Sequence, residues 1–346
     1  MRRVVARWRS HSRQIREQSR VWRRQWHVER DLEQVADADA IIAGPWCSEV
    51  GYEVLYWIPF LRWVMEAYRI PRERIVAVSR GGTTSWYDRI ASRYVEIFDH
   101  VQPERLRANA VAGSLKQHQL SDLDREIADY ASKTLQLPAS TKILHPSLMF
   151  RWFAPFWSGH ETLGFVERHT RFTRMTAPDV EPPQPLPEGY AAVKLYSARS
   201  LPDSPAVRAQ VEALLDGLSE RLPVVHLDTG LGIDDHADYA VRGARGVSLS
   251  GRFDARTNLA VQTRIVAGAR LYVGTCGSLA WLAPLMGVPT LPLFTDASFL
   301  HAHLHVARRV YGRIGAAAFS PLDLTGILDA GLAIGAAASP ALMSRS

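Results

Sequence analysis

Residues 273–289 read VGTCGSLAWLAPLMGVP. With Leu271 and Tyr272 ahead of it, Val273 ends a short apolar run, the pattern of a strand buried on both faces. Gly274 to Ser278 are small residues, and Leu279 to Met286 form an apolar helical run. Gly287-Val288-Pro289 then steps into a last apolar run, Thr290 to Phe294. Strand, tight turn, helix and strand is the repeating unit of a parallel α/β sheet. Glycines let the backbone approach a ligand closely, and free amides at the first turn of a helix favour a phosphate. Ser278 adds a hydroxyl donor. The same residues also read as a strand-to-helix turn with no ligand. Neither G-x-G-x-x-G nor Gly-Lys-Ser/Thr occurs here, so this is not a dinucleotide fingerprint or a P-loop.

Upstream the same alternation continues. Tyr190 to Tyr196, Pro223 to Leu227 and Gly246 to Leu249 read as strands, with helices at Pro205 to Arg221 and Thr257 to Ala269. The proline-rich stretch Ala177 to Gly189 reads as a linker. Before it, Ala40 to Ala43, Arg74 to Ser79, Tyr94 to Phe98 and Thr141 to Leu144 read as strands. Tyr52 to Tyr68 and Ser121 to Leu135 read as helices, and Pro59 predicts a kink or late start in the first. The expected fold is α/β: two Rossmann-like domains facing a cleft, with a basic amphipathic helix in front. The expected divisions are 1–36 (helix), 37–176 (acceptor-side domain), 177–189 (linker), 190–319 (donor-side domain) and 320–346 (Ala-rich tail).

Composition bounds the rest. The chain has 346 residues, 47% apolar and 22% charged, ordinary values for a globular protein of about two domains. No apolar run is long enough to span a membrane. Cys47 and Cys276 are the only cysteines, which excludes a disulfide framework and fits a reducing, cytoplasmic setting. The net charge of +6 is unevenly placed. Residues 1–30 hold ten arginines against Glu17 and Glu29, so they carry +8 and the remainder carries −2. A near-neutral body argues against a nucleic-acid partner.

In residues 1–30, Val4, Trp8, His11, Ile15, Trp22 and Trp26 recur at helical spacings, with arginines elsewhere. The stripe is read either as packing on the body or a second copy, or as laying residues 1–30 on an anionic membrane surface at the inner face of the cell membrane. No apolar segment follows, so it is not a secretory signal; the composition also matches an organelle transit peptide.

Ligands of open α/β sheets bind beyond the carboxyl ends of the strands, so strand-end residues are the site candidates. On the donor side these are Gly274, Thr275, Cys276, Gly277 and Ser278, with Arg199 and Lys194 as cations and Asn258 on a following helix. Lys194 also reads as a buried, paired lysine. Arg80, Arg252, Gln262 and the loop Asp228-Thr229-Gly230 are lesser candidates. After the first strand, Glu49 and Glu53 stand four apart, which on a helix would share a face. They read either as a base with an alternate, or as capping residues behind Ser48. His301, His303 and His305 invite a metal, but no Asp-x-Asp follows a strand; no metal and no cofactor are expected.

The stretch Ile265 to Phe294 resembles the donor-site segment of bacterial GT-B glycosyltransferases, heptosyltransferase-like and related polysaccharide-synthesis families. Their frame A-x-x-x-V-G-x-x-(S/T)-G-x-x-H-L-A-x-x-x-G-x-P is matched by Ala269, Val273, Gly274, Leu282, Ala283, Gly287 and Pro289. It departs at Cys276-Gly277-Ser278, where the family has Asp-Ser/Thr-Gly, and at Trp281, where it has His. Gly51-Tyr52-Glu53 with Pro59 and Leu61 is similar to the family's G-D-x-x-x-x-x-P-x-L, with one residue inserted and Glu53 at the carboxylate. The resemblance implies a glycosyltransferase moving a sugar from a nucleotide-sugar donor to a glycan or lipid-linked acceptor, with Glu53 as base and Glu49 as alternate. A metal-independent, inverting reaction in polysaccharide synthesis is the expectation. The missing Asp-Ser/Thr-Gly step leaves open a non-catalytic nucleotide- or glycan-binding protein on the same scaffold.

Overall fold

The computed structural model describes residue 23 and residues 25–111, 117–233, 237–239 and 246–326. They divide into two compact units. The first takes the described residues up to Pro178, with Ile233 and Asp254–Ala260; the second takes the rest.

The first unit opens on helix α1, residues 25–36. Val28, Leu32 and Val35 recur at helical spacing and are buried. Asp31 pairs with Arg151 at 3.0 Å, and Arg74 donates to the Ala36 and Ala38 carbonyls. Trp26, expected on the apolar stripe, is instead 55% exposed with Arg30 stacked on its ring. The buried stripe is thus the Val28 face, and most of the predicted basic helix lies outside the described residues.

Strand β1 (Ile41–Ala43) is followed by a helical run in three parts: α2 (Val50–Tyr52), a π-helical turn (Glu53–Trp57) and α3 (Ile58–Ala67). Strand β2 (Ile75–Ser79) leads into a 3-10 turn (Thr83–Tyr87), then β3 (Arg93–Glu96). The expected strand through Phe98 stops at Glu96, whose carboxylate accepts the Phe98 N–H and turns the chain into a 3-10 turn. Helices α4 (Pro103–Asn109) and α5 (Asp122–Thr134) precede β4 (Lys142–Leu144). Ser121 and Asp124 form a reciprocal capping box that starts α5. Helices α6 (Pro146–Trp157) and α7 (Leu163–Arg168) follow. The four strands are parallel in the order β3-β2-β1-β4. Ile42, Val76, Val78 and Val95 pack against Leu106, Ile127 and Ala131 on one face of this sheet.

The second unit carries β5 (Ala191–Lys194), β6 (Tyr196–Ser197), α8 (Pro205–Ser219), β7 (Val224–His226), β8 (Ala237–Asp238) and β9 (Val247–Ser248). Helix α9 (Asn258–Ala267) has its first three residues in the first unit. Then come β10 (Leu271–Thr275), α10 (Leu279–Leu282), a 3-10 turn (Ala283–Met286), β11 (Thr290–Phe294), α11 (His301–Ile314) and β12 (Leu322–Asp323). Six parallel strands lie in the order β12-β11-β10-β5-β7-β9, and β6 and β8 form a short antiparallel pair. Val193, Val273 and Leu293 on neighbouring strands share a core with Val207, Val211 and Leu215 of α8.

Two segments differ from the sequence reading. Residues 254–260, expected in the donor-side domain, belong with the first unit. There Ala260 N–H donates to the Gly81 carbonyl at 2.9 Å, and Arg256 reaches the Phe98 carbonyl and Asp99. The tail from residue 320 adds an edge strand, because Leu322 and Asp323 pair with Leu293 and Phe294 and Leu324 is buried.

Candidate functional site

At the carboxyl end of β1 the chain must reverse into a helix that contains Pro59. Proline has no N–H to give to the fourth residue before it. The structure accommodates it by widening the coil just ahead: Ile58 N–H donates to Glu53, five residues back, which defines the π turn. All five residues of that turn are buried, Glu53 completely. The expected kink at Pro59 is therefore a π turn, and Glu53 is its first residue.

Glu53 sits in a polar interior built from three strand ends. Ser79, the last residue of β2, and Tyr87, from the 3-10 turn, each donate a hydroxyl to Glu53 Oε1 at 2.6 Å. Oε2 is buried and has no partner among the described residues. Burial raises the carboxyl to about 7, against the opposing pull of Arg80 and the two hydroxyls. Arg80 is buried as well; its Nη2 donates to the Ser48 carbonyl at 2.7 Å, while Nε and Nη1 have no partner among the described residues. Gly81 and Gly82, both in the left-handed region, direct their amides at Glu96, at 3.0 and 2.8 Å. Beside them Gln117 accepts the Cys47 N–H and donates to Pro45 and Asp124. Asp124 lies 3.3 Å from His145, which follows β4.

Glu49 is different. It is the residue before α2, extended at φ −63° and ψ 137°, partly exposed, and its side chain caps no amide. It stands one turn before Glu53, whose N–H donates to the Glu49 carbonyl at 3.2 Å. Sequence reasoning missed Ser79, Tyr87, Asp124 and His145. Ser79 and His145 could have been noticed as strand-end residues; Tyr87 reaches Glu53 across 34 positions with no local signal.

In the second unit, the residues after β10 each have an identifiable neighbour. A Cβ on Gly274 would collide with the Lys194 carbonyl and the Tyr272 hydroxyl, so packing alone demands glycine there. Thr275 is fully buried and its hydroxyl spans the Tyr196 backbone, accepting from N–H and donating to C=O at 2.9 Å each. Burial pushes the Cys276 thiol up to about 12, which leaves it protonated and poorly nucleophilic. A Cβ on Gly277 would lie 2.5 Å from the Tyr196 hydroxyl. Ser278 has φ 41° and ψ −119°, a conformation serine rarely adopts, and makes no cap hydrogen bond. The Gly277, Ser278 and Leu279 amides donate to no other described residue. These are three successive backbone N–H donors left over at the start of α10.

The expected cations differ in availability. Lys194 is half-buried and paired: Nζ meets Asp238 at 2.6 Å, and Asp238 also accepts the Thr229 N–H. Burial raises the neighbouring Asp228 to about 6. Arg199 is exposed, with its guanidinium carbon 3.2 Å from the centre of the Phe299 ring. Asn258 belongs to the first unit, where its amide donates to the Ala255 carbonyl at 2.6 Å. His301 and His305 stack with ring centres 4.3 Å apart on α11, and no group of three potential ligands forms a metal site among the described residues. Among those residues no helix is long and apolar enough to cross a membrane.

No family model matches this sequence, and no curated protein does. Several solved structures are similar in fold. One is TibC, a bacterial iron-containing dodecameric glycosyltransferase from enterotoxigenic E. coli, at 13% identity and TM-score 0.41. That match covers 74% of this chain and 58% of TibC, so the chain spans under two thirds of that protein's length. A family 9 glycosyl transferase from Veillonella parvula is similar at 14% identity, TM-score 0.44, over 87% of this chain and 90% of the other. E. coli heptosyltransferase WaaC with ADP is similar at 15% identity, TM-score 0.37, over 75% and 89%. These structures are heptosyltransferases and other glycosyltransferases, and at such low values the chemistry has to be read from this chain's own residues.

Proposed function

We propose that this protein is a glycosyltransferase that moves a sugar from a nucleotide-activated donor to a glycan or glycoconjugate acceptor, inverting and without metal. The observation that carries the reading is the run of free amides at Gly277, Ser278 and Leu279 beyond β10, held in place by the unusual backbone of Ser278. Such dipoles are worth most where negative charge develops, as on a departing diphosphate. The second element is Glu53, whose raised carboxyl suits a base working near neutral pH.

In the reaction the acceptor hydroxyl gives its proton to the base, the role we assign to Glu53, whose Oε2 is closed to solvent in this structure and has to be uncovered for the step. Its oxygen forms a bond to the anomeric carbon as the bond from that carbon to the diphosphate oxygen breaks. The electron pair leaves with the diphosphate, which the three amides and Arg199 receive. Lys194 is already paired with Asp238, so Arg199 is the cation we assign to the phosphates. The acceptor belongs to bacterial polysaccharide or glycoconjugate synthesis.

Thermal-shift and binding measurements with nucleoside diphosphates, nucleotide sugars and NAD test this directly. Stabilisation by a nucleoside diphosphate is expected, with release of that diphosphate when donor and acceptor are combined. Stabilisation by NAD alone would overturn the reading. Binding with no turnover would leave a nucleotide-binding protein. Full turnover in Glu53→Gln with loss in Glu49→Gln would exchange the roles of the two carboxylates. Arg199→Ala should weaken nucleotide binding by about 1.5–3 kcal/mol, the range of a charge-assisted hydrogen bond.

A further inference from the structure

We propose that Tyr87 and Ser79 are positioning residues for Glu53: together they hold one carboxylate oxygen and leave the other as its proton-accepting atom. The inference rests on Glu53 being the base and specifies how that base is prepared. Both hydroxyls donate to the same oxygen, Oε1, at 2.6 Å, and they arrive from separate elements, the end of β2 and the following 3-10 turn. Ser79 and Tyr87 are both fully or almost fully buried, so water does not compete for these bonds. Oε2 is equally buried and takes no hydrogen bond from a described residue. Rotation of the carboxylate would break two bonds at once, which fixes the identity of the free oxygen.

The turn that carries Tyr87 is itself held. The Glu96 carboxylate takes the Gly81 and Gly82 amides and the Tyr94 hydroxyl, and Tyr94 Oη accepts the Thr83 N–H at the first residue of the turn. Glu96 therefore sets the approach of Tyr87 to Glu53 without touching it. Two O–H donors also favour the ionised carboxylate over the acid, in opposition to burial. A purely structural bond pair would fix geometry; this pair also sets the pH at which Glu53 can take a proton.

The test uses the full chain and the variants Tyr87→Phe, Ser79→Ala and Ser79→Thr. The carboxyl titration is followed by infrared difference spectra against Glu53→Gln, and the pH dependence of kcat/KM is measured with donor and acceptor. Loss of one hydroxyl should raise the Glu53 titration and the acid limb of the rate profile together, by about one pH unit. At pH 7 that is about a fivefold loss of ionised Glu53. Nucleotide affinity should be unchanged, and Ser79→Thr, which keeps the hydroxyl, should restore the original titration. An unmoved Glu53 titration in folded Tyr87→Phe and Ser79→Ala overturns the positioning role. A titration that moves while Glu53→Gln keeps full turnover overturns the base reading instead, so the two failures are distinct.

Discussion

Glu53 is a carboxyl sealed from water beside a buried arginine, and its elevated titration affects the stability of the whole unit. In the unfolded chain it ionises at its ordinary value near 4.5; folded, it ionises at about 7. Between those values the folded protein keeps a proton that the unfolded chain has released. Stability therefore falls as pH rises through this window and levels off above it, by about 3 kcal/mol at most. Glu53→Gln has no such proton and still offers an oxygen to Ser79 and Tyr87. It should melt above the natural protein at pH 8 and converge with it at pH 5; parallel melting curves at both would contradict the assigned titration. Turnover in the same variant should fall by about 10²–10⁴ with nucleotide binding retained, because only the proton acceptor is lost.

Elements show where local pattern suffices and where it does not. The run after β10 was legible because small residues between two apolar runs leave few conformations. The capping signal of α5 was legible because Ser121 and Asp124 act within one turn; Ser121→Ala should cost about 0.5–2 kcal/mol in chemical denaturation. Helix α6 is hard to see in the sequence, although Pro146 at its start is a recognised signal, because nearly every residue from Pro146 to Trp157 is apolar or aromatic and few polar residues mark its outer face. Strand β12 was hidden in an alanine-rich tail, since a two-residue edge strand carries no pattern of its own. Its value lies in Leu324, which shares the core of the second unit; Leu324→Ala should lower stability by about 2–5 kcal/mol. Glu53, the base we propose, was singled out from its own position; the residues that hold it come from elsewhere in the unit and appear only once the sheet is assembled. Gly277 shows both levels at once: valine there meets the Tyr196 hydroxyl as well as the space we propose for the phosphate. Gly277→Val should abolish nucleotide binding; if Tyr196→Phe restores binding to it, the loss was packing rather than occupation of the cradle.

For the molecule as a whole, residues 1–30 remain the most strongly charged segment, and membrane attachment through them is a separate proposal. Each arginine near an anionic leaflet contributes about 1 kcal/mol, so several together could hold the protein reversibly. Helix α1 decides how to test it. Val28, Leu32 and Val35 are core, so a chain starting at Asp37 would lose fold as well as charge. A chain starting at Gln25 removes nine of the ten arginines and keeps that core. Sedimentation with anionic vesicles, weakened by salt and lost in the shorter chain, is the expected result; a full chain left in the supernatant at low salt rejects attachment. The two cysteines have a practical consequence of their own. Cys47 lies in the first unit and Cys276 in the second; both are buried, and burial raises both thiols. Alkylating reagents will find neither in the native protein, so each reports the opening of its own surroundings. Timed labelling read by mass spectrometry gives two independent clocks for local unfolding, built into the natural sequence without an added dye.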